Sequence, residues 1–500
     1  MTAIDLNWYL FGAVVAAFTW FGFSASTKER STKDYFHSAE LHKNVVSLTA
    51  TNITLGTGLV YLVVGAQHNG LLMFLVPVAV WLGYVLQGLY LEQATHISAR
   101  TGRNFLAGVN EQLSEATGRP SPFARIVSAS LVSVFVLVLA FEIFASSKVV
   151  APFLFREVNS TAEAWMSVII FGITVLYTIL GGVRAVFAVD VIQVPLVCIF
   201  LPVFIWTTVP DAKDPGRLLV DLSQTLRIDM TALSAIAIAC MNAVATQFYS
   251  ILNWGAVSNV APRQQRHLLN RVGFLTAVVL TVFVLVGLLH RGEPGVQVWQ
   301  DITKLYAALS SQSGPLAFAL SGILLLGMTS ILLSTTDAIV ISAILFWYDN
   351  VVGGDSLDSK ASSTELRRIR TIGAVSFGLC FAVLLTINYL QPDPFYLLLS
   401  MAGGVVVFAP MIAAAGYVCS LGREAAQVFS ARIIYSYFAV FILAGVVDIV
   451  LLWKRSTLVS YVGLVAFLVA LVLSLSVVAK GRMRSRGIGP SRPSLPVQVE

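Results

Sequence analysis

TATNITLGTG, residues 49–58, puts Thr49, Thr51, Asn52, Thr54 and Thr57 together with Gly56 and Gly58 in the middle of an apolar run. A single threonine in such a run needs no explanation, because its hydroxyl bonds back to the carbonyl one turn earlier. Asn52 is different: an amide cannot satisfy all its donors and acceptors on its own helix and needs a neighbour, water or a ligand. Polar residues and glycines at this density predict a locally unwound helix, whose freed carbonyls must line a cavity rather than face lipid. Such carbonyls and hydroxyls are hard oxygen ligands and suit an alkali cation.

The rest of the chain sets that stretch in a membrane. Of its 500 residues, 57% are hydrophobic and 12% charged, and the mean hydropathy is +0.81, far outside the range of soluble globular domains. Runs long enough to cross a ~30 Å hydrocarbon core lie near 6–25, 44–66, 70–94, 126–149, 164–182, 185–208, 230–252, 272–290, 315–346, 371–390, 395–420, 433–453 and 458–479. The expectation is an all-α integral membrane protein of about thirteen transmembrane helices. The first run has no basic leader or small-residue cleavage site and reads as a retained helix. Loops around 95–125, 209–228 and 291–313 are the longest polar stretches, and residues 481–500 read as a basic, disordered cytoplasmic tail facing the anionic inner leaflet.

With the N-terminus outside and the C-terminus cytoplasmic, 23 of the 32 Lys and Arg residues fall on the inner loops and tail and 9 on the outer side, the asymmetry the positive-inside rule expects. The pair Lys454 and Arg455, in a short outer turn, runs against it. This distribution explains the net charge of +6 without nucleic acid, and the partners expected are membrane lipid, a cation and a small solute. Cys198, Cys240, Cys380 and Cys419 lie in apolar stretches at unrelated spacings, which suggests packing rather than a disulfide or zinc.

Two further polar features interrupt the runs. The ninth holds GMTSILLSTTDAIVISA, with Thr329, Ser330, Ser334, Thr335, Thr336, Asp337 and Ser342; hydroxyls there serve equally as helix–helix glue. Between the fifth and sixth lies GGVRAVFAVDVIQ, residues 181–193. Its glycine pair reads as a tight turn, and Asp190 enters the sixth run as a costly intramembrane carboxylate, a pathway residue by default.

These residues resemble the sodium/solute symporter family. Its pattern GG-x-x-AV-x-x-x-D-x-x-Q is matched by Gly181, Gly182, Ala185, Val186, Asp190 and Gln193. STKDYFHSAELHKNVVSLTATNITLGTG is similar to the family's approach to its first core helix, and LLSTTDAIVISA to its serine/threonine helix. The resemblance implies a leucine-transporter-type fold with two inverted repeats, runs two to six (44–208) and seven to eleven (230–420), and peripheral runs one, twelve and thirteen, all within one transporter domain over 1–480. It also implies sodium-coupled symport of a small organic solute into the cell by alternating access at the plasma membrane, with sodium as coupling ion and no cofactor. The carbonyls of Ala50, Ile53 and Ile331 and the hydroxyls of Ser334 and Thr335 (or, one register on, Thr335 and Thr336) would ligate sodium, Asp190 would stand on the inner exit path, and Asn52, Gln247 and Asn242 would contact the solute.

Departures fall on the solute side. In ALSAIAIACMNAVATQFYSILNW, Gln247 resembles a family glutamine, but Cys240 and Val244 stand where aromatic residues often do, and Asn253 replaces a basic residue. That run contains no Gly or Pro to announce a break. Gln67, Gln87, Glu142 and Thr246 are among the other polar residues near the cavity; Glu142 and Lys148 are read as a pair near the outer end of the fourth run, the alternative being a carboxylate that faces an amine-bearing solute. Rival classes are a proton-coupled carrier, which in this fold usually wants a lysine near the hydroxyl cluster where none occurs between Lys304 and Lys360, and a solute sensor working through a partner chain. An enzyme is not indicated: no serine–lysine dyad or His/Glu metal pair stands in the runs.

Overall fold

A computed structural model describes residues 3–26, 35, 49, 53–101, 105–208, 230–249, 262–289, 298–353, 363–390, 394–454, 456 and 458–486. Ala50 and Asn52 lie outside them. Helix accounts for nearly all of the described residues, and no strand occurs among them. In chain order the helices are α1 (Ala3–Ser26), α2 (Tyr61–Asn69), α3 (Leu75–Thr101), α4 (Phe105–Thr117), α5 (Phe123–Leu154), α6 (Ser160–Thr208), α7 (Met230–Tyr249), α8 (Pro262–Leu289), α9 (Val298–Ser311), α10 (Pro315–Phe346), α11 (Ser363–Leu390), α12 (Pro394–Val406), α13 (Phe408–Ser420), α14 (Ala431–Trp453) and α15 (Val459–Arg486). Every one of the thirteen apolar runs carries helix. Among the described residues ten spans are long and apolar enough to cross a membrane, and Ile192–Thr208 and Ala232–Gln247 are shorter apolar helices. The chain is a multi-pass membrane protein.

Helix α10 is buried from Ser321 to Phe346 with few interruptions, its polar residues included, as a helix at the centre of a bundle is. It packs along α6, and α1 and α5 pack against it. By contrast α14 and α15 show Leu443, Ile449, Val472 and Leu475 outward, as helices facing lipid do. Asn7 of α1 ties the layers together, its Nδ2 donating to the Phe153 carbonyl at 3.0 Å and to Ser321 Oγ at 2.6 Å.

The glycine pair at 181–182 works as read. Gly182 has φ +52° and ψ −153° and breaks α6 into two segments. A Cβ there would stand 2.6 Å from the Tyr35 carbonyl oxygen, and the Tyr35 hydroxyl in turn donates to the Ile179 carbonyl at 3.0 Å. Glycine is required twice over, by the dihedral and by the close approach. Gly182→Ala should cost about 1–3 kcal/mol, read as a lower melting temperature of the purified protein; an unchanged melting temperature would mean the turn is not held in this conformation.

Three expectations are corrected. The polar stretches 95–125 and 291–313 are not simple loops, since α4 and α9 form within them. In α4, Phe105, Leu106, Val109, Leu113 and Ala116 share one buried face, an amphipathic pattern too short to read as a membrane run. The last helix runs on to Arg486 rather than ending at the basic residues. Arg482 explains part of this: its Nε donates to Tyr417 Oη at 2.8 Å and its guanidinium lies 5.2 Å from that ring's centre, so a long basic side chain packs on the Tyr417 ring of α13 while remaining exposed. Third, Glu142 and Lys148 do not pair; Lys148 Nζ instead meets Glu163 Oε2 at 2.8 Å. The four cysteines carry free thiols.

Candidate functional site: the broken segment and the α10 hydroxyls

Residues 53–60 form the irregular segment anticipated from TATNITLGTG. Ile53 is a bend, Thr54 is extended (φ −97°, ψ 151°), and Leu55–Val60 is a π-turn leading into α2, with the Leu59 N–H donating to the Thr54 carbonyl at 3.0 Å. Thr54 occupies the N-cap position without capping through its own side chain. The cap comes from elsewhere: Glu142 of α5 accepts from the Leu55 N–H at 2.9 Å and the Gly56 N–H at 2.6 Å, both on Oε1. A carboxylate at the N-terminal end of a helix meets unpaired N–H groups and the positive end of the dipole. Gly56 makes the approach possible, since a Cβ there would lie 2.8 Å from Glu142 Oε2.

Opposite this segment, α10 turns its three consecutive hydroxyls in three directions, as a spacing of ~100° per residue requires. Thr335 Oγ1 faces the break, 3.4 Å from the Ile53 carbonyl, while donating to the Ile331 carbonyl at 3.1 Å. Ser334 Oγ donates to Asp190 Oδ1 at 2.8 Å. Thr336 Oγ1 lies 3.2 Å from Thr174 Oγ1 of α6. Of the residues the resemblance assigned to sodium, Ile53, Ile331 and Thr335 therefore meet at one point. Ser334 is adjacent but committed to Asp190, and Ala50 is outside the described residues. A hydroxyl that donates to a carboxylate keeps its lone pairs for a cation.

The residue given no role in the sequence reading is Asp337. It is fully buried, Tyr177 Oη donates to its Oδ2 at 2.7 Å, and its Oδ1 has no hydrogen-bond partner among the described residues. It lies close enough to Asp190 for the two carboxylates to act on each other electrostatically. Gln193, at the end of the glycine–aspartate motif, is also fully buried, and neither polar atom of its amide has a partner among the described residues. Ser330 Oγ and Thr329 Oγ1 are in the same condition on α10. The signal for Asp337 was available, because an acid inside an apolar run is costly wherever it occurs. The same holds for Asp448, buried on α14, whose Oδ2 stands 3.2 Å from where a Cβ on Gly403 would be.

A cavity of about 240 Å³ adjoins the break. Thr54, Gly58 and Thr335 reach it from the broken segment and α10, and Asn242, Thr246 and Gln247 from α7. Thr246 Oγ1 donates to the Asn242 carbonyl at 3.0 Å, and Gln247 is 4% exposed. Gly83 of α3 lets α7 come close, since a Cβ there would be 2.8 Å from Gln247 Cγ. The two predicted solute residues that are described, Gln247 and Asn242, thus line one cavity. The break that the resemblance implied at mid-membrane in the seventh run is not made there: α7 is one continuous helix from Met230 to Tyr249, consistent with a run that holds no Gly or Pro. Asn52 lies outside the described residues.

No family model matches the chain, and no curated protein is similar enough to count as a relative. Solved structures do match over nearly the full length. One is a Na+-coupled sialic acid symporter in a substrate-bound outward-open state, described as revealing a novel Na+ site: TM-score 0.65, 14% identity, 97% of this chain and 98% of that one. Another is MhsT in complex with L-phenylalanine, at TM-score 0.52 and 12% identity over 89% of this chain and 99% of that one. At these identities the likeness establishes the architecture alone, and that architecture is the all-α, leucine-transporter-type transporter fold.

Proposed function

We propose that the chain is a secondary active transporter that couples sodium entry to uptake of a small organic solute by alternating access. The observation that carries this reading is the meeting of Ile53, Ile331 and Thr335 between the broken segment and α10, on the edge of a cavity lined by Asn242 and Gln247. In this reading sodium binds to the carbonyls of Ala50, Ile53 and Ile331 and the hydroxyls of Ser334 and Thr335. These are neutral hard oxygens, the ligand type a monovalent cation takes. Asp190, one hydrogen bond away through Ser334, supplies negative charge and a route toward the cytoplasm. Because Thr335 belongs to both the ion site and the cavity wall, an ion there and a solute beside it stabilise the same closed arrangement, and each tightens the other. Asn52, Gln247 and Asn242 contact the solute.

A second reading is favoured by one observation. Asp190 and Asp337 are two buried carboxylates, one held by Ser334 and the other by Tyr177, and a buried intramembrane carboxylate takes up a proton as an alternative to facing a cation. Proton coupling is therefore the rival. Thermal stability of the purified protein in sodium against potassium, across a pH series and a panel of small amino acids, carboxylates, sugars and vitamins, separates the two. Sodium coupling predicts that a solute stabilises the protein in sodium and much less in potassium at constant pH. Equal stabilisation in both salts, with a strong dependence on pH, would favour the proton.

The orientation follows from the basic residues, with the N-terminus outside and the C-terminus cytoplasmic. Ser160→Cys should react with a membrane-impermeant thiol reagent in intact cells and Lys360→Cys only after permeabilisation. Reaction of Lys360→Cys from outside would overturn the topology.

A further inference from the structure

We infer that the solute taken up at this site is uncharged and largely apolar, with a hydrogen-bonding end of amide or alcohol type; this assignment presupposes the transport function proposed above. No charged side chain lines the cavity among the described residues. One side is hydrocarbon from α3 and α5, including Val76, Val80, Leu131, Val134 and Phe135. The hydrogen-bonding groups are all uncharged: Asn242, Thr246 and Gln247 on α7, with Thr54, Tyr61, Thr335 and Ser342 on other elements, and Asn242 Oδ1 has no partner among the described residues.

The donors that a solute carboxylate would use at a broken helix are already taken. Leu55 and Gly56 give their N–H groups to Glu142 Oε1, so the chain places its own carboxylate where a carrier of organic acids would leave room for its cargo. The coupling ion does not call for an acid either, since Asp190 stands behind Ser334 to balance it. A solute ammonium is no better served: Glu142 is engaged with the helix end, and neither it nor Asp190 nor Asp337 borders the cavity. A solute ammonium would meet no carboxylate on the cavity wall among the described residues, and a solute carboxylate would meet only the coupling ion, whose charge Asp190 already balances through Ser334; burying either charge is expensive. The volume of about 240 Å³ falls below the ~300–1,000 Å³ usual for drug-sized ligands, so the solute is small.

Matched compounds that differ only in the charge of one end provide the test: hexanamide, hexanoate and hexylamine, and phenylacetamide, phenylacetate and phenethylamine. Each is titrated against purified full-length protein in sodium at neutral pH and read by thermal shift. The amides should stabilise at concentrations roughly a hundredfold below the matched acids and amines, the ratio that burial of an unpaired charge implies. An acid or amine that matches or betters its amide overturns the inference. If sodium stabilises the protein and none of these compounds does, the inference also falls while the transport reading stands. Amides that bind equally in sodium and potassium, and that proteoliposomes fail to accumulate under an inward sodium gradient, would instead sink the transport reading and leave the solute class intact. Gln247→Glu, which adds a carboxylate to the cavity wall, should move the preference from amide to amine by tenfold or more; an unchanged ranking would show that the compounds bind elsewhere.

Discussion

Glu142→Ala should be the most damaging single substitution in the bundle, costing about 3–6 kcal/mol. Its Oε1 accepts two backbone N–H groups at the start of the broken segment, and each hydrogen bond to a charged group contributes about 1.5–3 kcal/mol. Leu55 and Gly56 begin a helical turn and are buried, so their N–H groups have no acceptor within their own helix. Against a total stability of about 5–15 kcal/mol, the alanine protein should reach the membrane at low abundance and melt well below wild type. Glu142→Gln is the informative companion, because the amide oxygen still accepts while the charge is gone; it should recover a large part of the loss. A Glu142→Ala protein that melts like wild type would show that the break is held by something other than this cap.

Thr335→Ala should raise the sodium concentration for half-maximal stabilisation or uptake by roughly ten- to a hundredfold. Removing a hydroxyl that faces a cation is expected to cost about 1.5–3 kcal/mol, by analogy with hydrogen bonds to charged groups, at ~1.4 kcal/mol per decade. Ser334→Ala should shift it in the same direction, and it also strips a hydrogen bond from buried Asp190. Thr336→Ala is the control, because that hydroxyl faces Thr174 of α6 rather than Ile53. A hydroxyl serving only as helix glue would, when lost, lower abundance and leave sodium dependence alone. Unchanged sodium dependence in both Thr335→Ala and Ser334→Ala would remove the basis for the ion site.

How much of this was legible in the sequence depended on how local each signal was. The break at 53–60 could be read directly, because five polar side chains and two glycines in ten residues contradict a regular helix in oil. The turn at Gly182 was legible from the glycine pair between two membrane-length runs. The partner of the break was not. Glu142 lies 87 positions from Leu55, and the only charge near it along the chain is Lys148, so sequence proximity suggested a pair that the fold does not make. The three hydroxyls of α10 were visible as a cluster, but which of them faces the break depends on the rotation of α10 against α6, a tertiary quantity. Helices α4 and α9 were missed because search for membrane-length runs passes over short amphipathic segments. Asp337 was seen and left without a role, although the argument applied to Asp190 applies to it equally.

Direct binding of radiolabelled sodium to the purified protein tests the central claim most closely. The account predicts saturable binding that excess potassium does not displace, and an affinity ten- to a hundredfold lower in Thr335→Ala but unaltered in Thr336→Ala. Absence of saturable sodium binding in the wild-type protein, or binding that survives Thr335→Ala and Ser334→Ala at full affinity, would contradict it.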